Sequence, residues 1–212
     1  SFCHADGGYH LMGCILSAAS CNKWLCENIL KTDDYASEQI NITDEKLGNN
    51  HIYFLPYLMG ERSPINDTDA RGTFTGIRMD TKREDMVQAV LEGVAFAIRD
   101  CLQVAKASEI NVSESTLCGG GAKSPLWQKI FANVLNIPIN IPQTEQGPGY
   151  GGAMLAMVGT GEFNSVKDCA DQLVKIKETV YPDKYIAERY EAQYLKYKKI
   201  YPSMKDLFKE IK

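Results

Sequence analysis

From Lys82 to Ala107 apolar residues return every three to four positions, at Val87, Val90, Leu91, Val94, Ile98, Cys101, Leu102 and Ala105. That spacing predicts one long helix with a single apolar face, and a helix of this length has to lie along a sizeable core. Thr81 and Glu84 form a T-x-x-E capping-box pattern at its start, which would satisfy two free N–H groups. Gly93 sits inside the pattern at a cost of about 1 kcal/mol relative to Ala. It reads either as a place of close backbone packing or as a tolerated defect.

The flanking segments alternate in character. Tyr9–Leu16 and His51–Leu58 read as strand-like. Ser17–Leu30 between them reads as a helix, with Ala18, Trp24, Leu25 and Ile29 as its buried positions, and a second helix is expected around Asp33–Lys46. Met59–Asp67 carries the Gly, Pro, Asn and Asp of a loop, and Gly72–Ile77 alternates like a short strand. After the long helix, Ser115–Cys118 reads as a strand leading into Gly119-Gly120-Gly121-Ala122. Ser124 suits an N-cap and Pro125 the first helical position. Ile137–Ile141 reads as a strand, placed at a sheet edge by Pro138, and Gly147–Gly152 leads into a helix over Ala153–Val158. Strand and helix alternating in this way predict an α/β domain with helices covering a sheet. Residues 1–162 are expected to form that domain. Residues 163–212 are expected to be a helical extension packed on it, with Tyr190, Tyr194, Tyr197 and Tyr201 as a docking face and the intervening lysines solvated.

Bulk properties exclude several function classes. The 212 residues suffice for one domain with its own core. A net charge of −4 gives no basic footprint for nucleic acid or an anionic membrane, and no run approaches the roughly 20 apolar residues of a membrane span. The seven cysteines show no C-x-x-C spacing and read as reduced, mostly buried thiols of a cytoplasmic protein. The start at Ser1 reads as the inside of a longer chain.

Chemistry is concentrated at the strand–glycine turn–helix unit from Leu117 to Phe131. A nucleotide needs backbone N–H groups and close main-chain approach, which glycine permits, and a helix beginning just afterwards aims its positive end at bound phosphate. The turn fits neither G-x-x-x-x-G-K-[ST] nor G-x-G-x-x-G. His4, His10 and His51 form no nucleophile or metal pattern, and Asp67 and Asp69 read as loop residues. Arg62 reads equally as a phosphate partner or as half of a structural ion pair.

A resemblance sharpens these readings. Gly72 to Glu92, read as G-T-F-T-G-I, seven residues, then D-M-V-Q-A-V-L-E, resembles the second signature of the FGGY carbohydrate kinases. Phe54–Pro64, Leu16–Cys21 and Ser1–Ala5 resemble the xylulokinase branch of that family, and the similarity extends to about Gly161. It implies an α/β fold of the actin-like, ribonuclease-H-like kind: the C-terminal lobe of a two-lobed kinase, beginning after the first strands of its sheet. It implies ATP with Mg2+ in the cleft, although no metal ligand is recognised in this chain. It places Gly120, Gly121 and Ala122 against the adenosine, with Ser124 and Pro125 beside them. Ala19 and Lys23 match the opposite wall by their distance from Trp24.

The family's aspartate general base, and a Gly-Thr phosphate turn, lie upstream of the matched segment, so no catalytic residue is assigned here. The expected partners are the N-terminal lobe and a ketopentose held mainly by it, with no nucleic acid and no membrane, and with room for a homodimer. The implied activity is phosphorylation of D-xylulose to xylulose 5-phosphate by the complete protein. The alternatives are a gluconate, ribulose or glycerol kinase lobe, or a non-catalytic actin-like nucleotide-binding module.

Overall fold

The long helix predicted from periodicity is the spine of the molecule. A computed structural model describes residues 1–144 and 147–211. In chain order a two-residue hairpin, β1 (Phe2–Cys3) with β2 (Tyr9–His10), is followed by α1 (Ala19–Lys23), a π-helix (Trp24–Leu30) and α2 (Tyr35–Gln39). Next come β3 (Tyr53–Leu55), β4 (Thr73–Thr75) and α3 (Arg83–Ala107). Then β5 (Ser115–Thr116), a 3-10 turn (Gly120–Lys123), α4 (Pro125–Leu135), β6 (Ile139–Pro142) and α5 (Gly147–Gly159) follow. The chain closes with α6 (Val166–Leu173), β7 (Ile176–Val180), α7 (Lys184–Tyr197) and α8 (Ile200–Glu210).

Helix α3 is apolar on more than one face because it is enclosed on more than one side. Every residue from Val87 to Ala97 is buried, between the β3–β4 hairpin, α4 and α7. Its N-cap is Lys82 rather than Thr81: the Asp85 carboxylate accepts the Lys82 N–H at 2.9 Å. Half of a capping box thus sits one residue later than the sequence pattern predicts, because lysine offers no side-chain acceptor for the Asp85 N–H. Thr81 Oγ1 instead accepts the Arg78 N–H at 2.8 Å and meets His51 Nε2 at 3.1 Å. Gly93 resolves in favour of close packing, since a Cβ there would lie 2.2 Å from the Phe54 carbonyl oxygen of β3.

The main sheet has the order β5-β6-β7, with β5 parallel and β7 antiparallel to β6. Helix α4 makes the crossover between the two parallel strands. Pro138 therefore stands before the central strand, not in an edge strand. Its missing N–H costs nothing because the ladder uses its carbonyl, which accepts the Ser115 N–H at 3.1 Å.

Four other local expectations shift. Tyr9–Leu16 is strand only at Tyr9–His10, and no core lies behind it, for Tyr9, Leu11 and Met12 are exposed. The Asp33–Lys46 helix shortens to α2, and α5 starts at Gly147 rather than Ala153. The predicted helix over Ser17–Leu30 changes from α to π winding at Trp24. Bonding from i to i+5 puts Leu30, rather than Ile29, beneath Leu25. Leu30 accordingly packs on the core, and Ile29 is 56% exposed.

Residues beyond 162 supply a strand as well as helices. The rings of Tyr190, Tyr194 and Tyr197 surround Phe96 of α3 at 5.0–6.1 Å between centroids. All three tyrosines are buried, so that stripe is core. Cys21, Cys26 and Cys169 are buried as expected, whereas Cys3 and Cys118 are exposed, and the cysteines are all free thiols.

Tyr190 also meets a buried carboxylate. Glu92 Oε1 accepts from Gln88 Nε2 at 2.7 Å and from the Tyr190 hydroxyl at 2.9 Å. Burial pushes the Glu92 carboxyl up to about 7, and these donors only partly offset it. An unfolded Glu titrates near 4.3, so between those values the folded state holds the extra proton. Stability from this group is full below the unfolded value and is lost as pH rises through about 7. Thermal melts from pH 4.5 to 8 should show Glu92→Gln gaining on the native protein by roughly 3 kcal/mol across that window. A pH-independent difference between the two would contradict this assignment.

Candidate nucleotide-binding site

Strand β5 delivers the chain to the glycine turn, and α4 fixes where that turn sits. Ser124 caps α4 as predicted, its Oγ accepting the Trp127 N–H at 3.1 Å, and Pro125 opens the helix. The Trp127 indole donates to the Leu91 carbonyl of α3 at 3.0 Å. Gln128 Nε2 donates to the Ala122 carbonyl at 2.6 Å. The turn is therefore held from below by two side chains of α4, of which Trp127 is anchored to the spine.

Within the turn, the Ala122 N–H bonds the Gly119 carbonyl at 3.1 Å and the Ser124 N–H bonds the Gly121 carbonyl at 3.3 Å. The N–H groups of Gly120 and Gly121, first in the 3-10 turn, have no protein acceptor among the described residues. Gly120 is exposed, and a Cβ built there meets nothing within 4 Å. Gly121 differs: its Cβ would lie 2.8 Å from the Trp127 ring. The open face belongs to Gly120, while Gly121 is bare to make room for tryptophan. Ala122 is buried.

The second predicted wall is the arm beginning at α1. Ala19 is exposed, and Lys23 is exposed with its Nζ 3.9 Å from the Glu27 carboxylate. Among the described residues no hydrogen bond or ion pair joins Ala19 or Lys23 to the glycine turn. The link comes further along the arm, where the Ser124 hydroxyl donates to Gln39 Oε1 of α2 at 2.5 Å. Sequence reasoning missed Gln39 because its partner lies 85 residues away. It also missed Trp127, whose position three residues after the N-cap was the available signal. The run Gly147–Gly152 spells G-x-G-x-x-G, but it lies within α5 rather than in the turn before it. It therefore does not form the tight phosphate-binding turn of that fingerprint.

Ahead of α1, the Glu61 carboxylate is buried and accepts the Leu16 N–H at 3.0 Å and the Arg62 N–H at 2.7 Å. Burial raises its pKa despite those bonds. The Glu61 and Asp67 main chains exchange two 2.8 Å bonds, and the Ser63 N–H donates to the Cys14 carbonyl at 2.9 Å. This loop is thus stapled to the segment that enters α1. Arg62 is exposed, and its guanidinium has no ion-pair partner among the described residues. Asp67 accepts from the Tyr201 hydroxyl at 2.6 Å and from the Asp69 N–H at 2.9 Å, as a loop anchor does. Among the described residues no group of three or more His, Cys, Asp or Glu is placed to hold a metal ion, and no helix is long and apolar enough to cross a membrane.

Residues 3–160 match the C-terminal domain of the FGGY family of carbohydrate kinases. The chain belongs to that family. The xylulose kinase of Staphylococcus xylosus is 34% identical over 192 residues, which cover 91% of this chain and 40% of that protein. The crystal structure of a xyloylose kinase from Brucella ovis superposes with a TM-score of 0.83 at 34% identity, over 92% of this chain and 40% of that one. A gluconate kinase structure from Lactobacillus acidophilus reaches a TM-score of 0.80 at 22% identity, over 93% and 40% of the two chains, and shares the fold. The chain thus spans about 40% of the length of the curated relatives it matches, as a mixed α/β lobe of the actin-like kind.

The structure gives the FGGY signature of this chain a physical meaning. Its strand part becomes β4, paired with β3. Its Asp85 caps α3, and its final Glu92 is the buried carboxylate bonded to Tyr190. The signature residues build the spine on which the glycine turn rests.

Proposed function

We propose that this chain is the ATP-binding lobe of a ketopentose kinase, with D-xylulose as the sugar phosphorylated by the complete protein. The observation that carries the nucleotide part is the exposed Gly120 face, where the N–H groups of Gly120 and Gly121 have no acceptor among the described residues, set at the start of a helix. Adenosine would lie against Gly120, with Gly121 and the buried Ala122 shaping the turn. Ser124 and Pro125 act by fixing α4, because the Ser124 hydroxyl is already engaged by Trp127 and Gln39. Ala19 and Lys23 would form the far wall.

The residues present fit an adenine nucleotide, and the family uses ATP with Mg2+. Bound ATP would supply the phosphoryl group, and a magnesium ion would come in with its phosphates and waters rather than on ligands of this chain. This chain's part is to orient the nucleotide and exclude water from one side of it. The sugar pocket and the aspartate base belong to an N-terminal lobe in this reading, in a cytoplasmic enzyme. The xylulose preference rests on relatives named xylulose kinase at about 34% identity. Gluconate and glycerol kinases share the fold, so gluconate, ribulose and glycerol are the competing substrates.

A coupled ADP-release assay tests the division of labour. The chain by itself should give no xylulose-dependent turnover, and adding the N-terminal lobe should restore it. Turnover by the chain alone would overturn the reading. So would a restored enzyme that prefers gluconate, ribulose or glycerol.

A further inference from the structure

A cavity of about 350 Å³ opens between the C-terminal half of α3, the 57–65 loop and the α7–α8 junction. Asp100, on its wall, lies about 14 Å along α3 from Leu91, where the Trp127 indole docks, at 1.5 Å per residue. The cavity is therefore well removed from the glycine turn. Its size falls within the range of roughly 300–1,000 Å³ typical of small-molecule sites.

Its lining combines tyrosine rings with a few polar groups, among them Tyr57, Asp100, Gln103, Tyr197, Lys198 and Tyr201. Most hydroxyls here already have partners. Tyr194 donates to Asp100 Oδ1 at 2.5 Å, and Tyr201 donates to Asp67. What remains is specific. Asp100 Oδ2 and the Gln103 side-chain amide have no hydrogen-bond partner among the described residues. The Tyr57 and Tyr197 hydroxyls are 3.5 Å apart, a distance that leaves both with capacity to spare.

Charge narrows the class of ligand. Lys198 Nζ already sits 5.1 Å over the Tyr194 ring, and the Arg99 guanidinium 4.1 Å over the same ring. A cationic ligand would meet Lys198, and an anionic one would meet Asp100. A neutral molecule that both donates and accepts, with a C–H face to lie on tyrosine, satisfies what is left. Vicinal hydroxyls can donate to Asp100 Oδ2 and exchange bonds with the Gln103 amide. Burial also holds the Asp100 carboxyl above its usual range, as is common for carboxylates at binding sites.

We propose that this cavity binds a small neutral polyol, held by Asp100 and Gln103 against the Tyr201 ring. Such a site would let the protein respond to polyhydroxylated metabolites away from its nucleotide face.

Xylitol, which is neutral and carries no carbonyl, is a suitable probe for calorimetry and saturation-transfer NMR on the full chain. Saturable millimolar binding is expected, with shifts confined to the ring signals of the lining tyrosines. Asp100→Asn keeps an acceptor for Tyr194 but replaces the charged oxygen, and Gln103→Ala removes a half-buried amide. Each should weaken xylitol binding about tenfold or more while melting temperatures stay close to native. No saturable binding at 100-fold the protein concentration and above, into the ~100 mM range, would overturn the proposal. So would binding unaffected by both variants, or preferential binding of adenosine, a neutral planar probe, in xylitol's place.

Discussion

Gly93→Ala should lower the stability of this protein by about 3 kcal/mol, a fall of roughly 6–12 °C in melting temperature for a chain of this size. By helix propensity alone the change should help, by about 1 kcal/mol. The structure reverses that sign. A Cβ at Gly93 would lie 2.2 Å from the Phe54 carbonyl oxygen and 3.1 Å from its carbonyl carbon. Both belong to the main chain of β3, which is itself fixed by three-residue pairing with β4. No flexible side chain is there to swing aside, so α3 and the hairpin must separate. That movement opens the interface lined by Phe54, Val90 and Val94, all buried. Calorimetric or circular-dichroism melts of the two proteins decide the matter. Equal or higher stability in the alanine variant would return Gly93 to the status of a tolerated defect.

Gly120→Val should abolish measurable ADP binding, a loss of at least about 100-fold if two backbone hydrogen bonds and the adenosine contact go together. A Cβ at position 120 meets no protein atom within 4 Å, so a branched side chain there points into the space assigned to the nucleotide. The melting temperature should stay near that of the native chain. Gly121→Val is the instructive contrast. Its side chain would strike the Trp127 ring at 2.8 Å, loosening the indole that anchors α4 to Leu91. That variant should lose stability and ADP affinity together. Calorimetric titration of ADP, paired with melts, separates the two effects. Undiminished ADP affinity in Gly120→Val would remove the glycine turn from the nucleotide site.

Much of this protein was legible in its sequence, and the legible parts share a cause. The period of α3, the Ser124 cap, the Pro125 start and the α/β alternation are set by bonds within a few residues, so neighbouring letters suffice to read them. The FGGY resemblance rests on the same short-range record, because Gly72 to Glu92 is one contiguous stretch.

Tertiary structure decided what depends on partners far along the chain. Thr81 lost the capping role to Lys82 and Asp85 because His51 and Arg78 claimed its hydroxyl. Ile29 turned outward because the arm changed to π winding, and Pro138 proved central because β7 arrives from the other side of the sheet. In the candidate site, the sequence by itself picked out the glycine turn and its helix. It had no way to separate Gly120 from Gly121, or to find Gln39, since each distinction depends on what packs against the turn. A run of glycines records only that side chains are missing. Whether each gap holds a tryptophan ring, a strand carbonyl or open space for a ligand is settled by contacts between segments that no local pattern encodes.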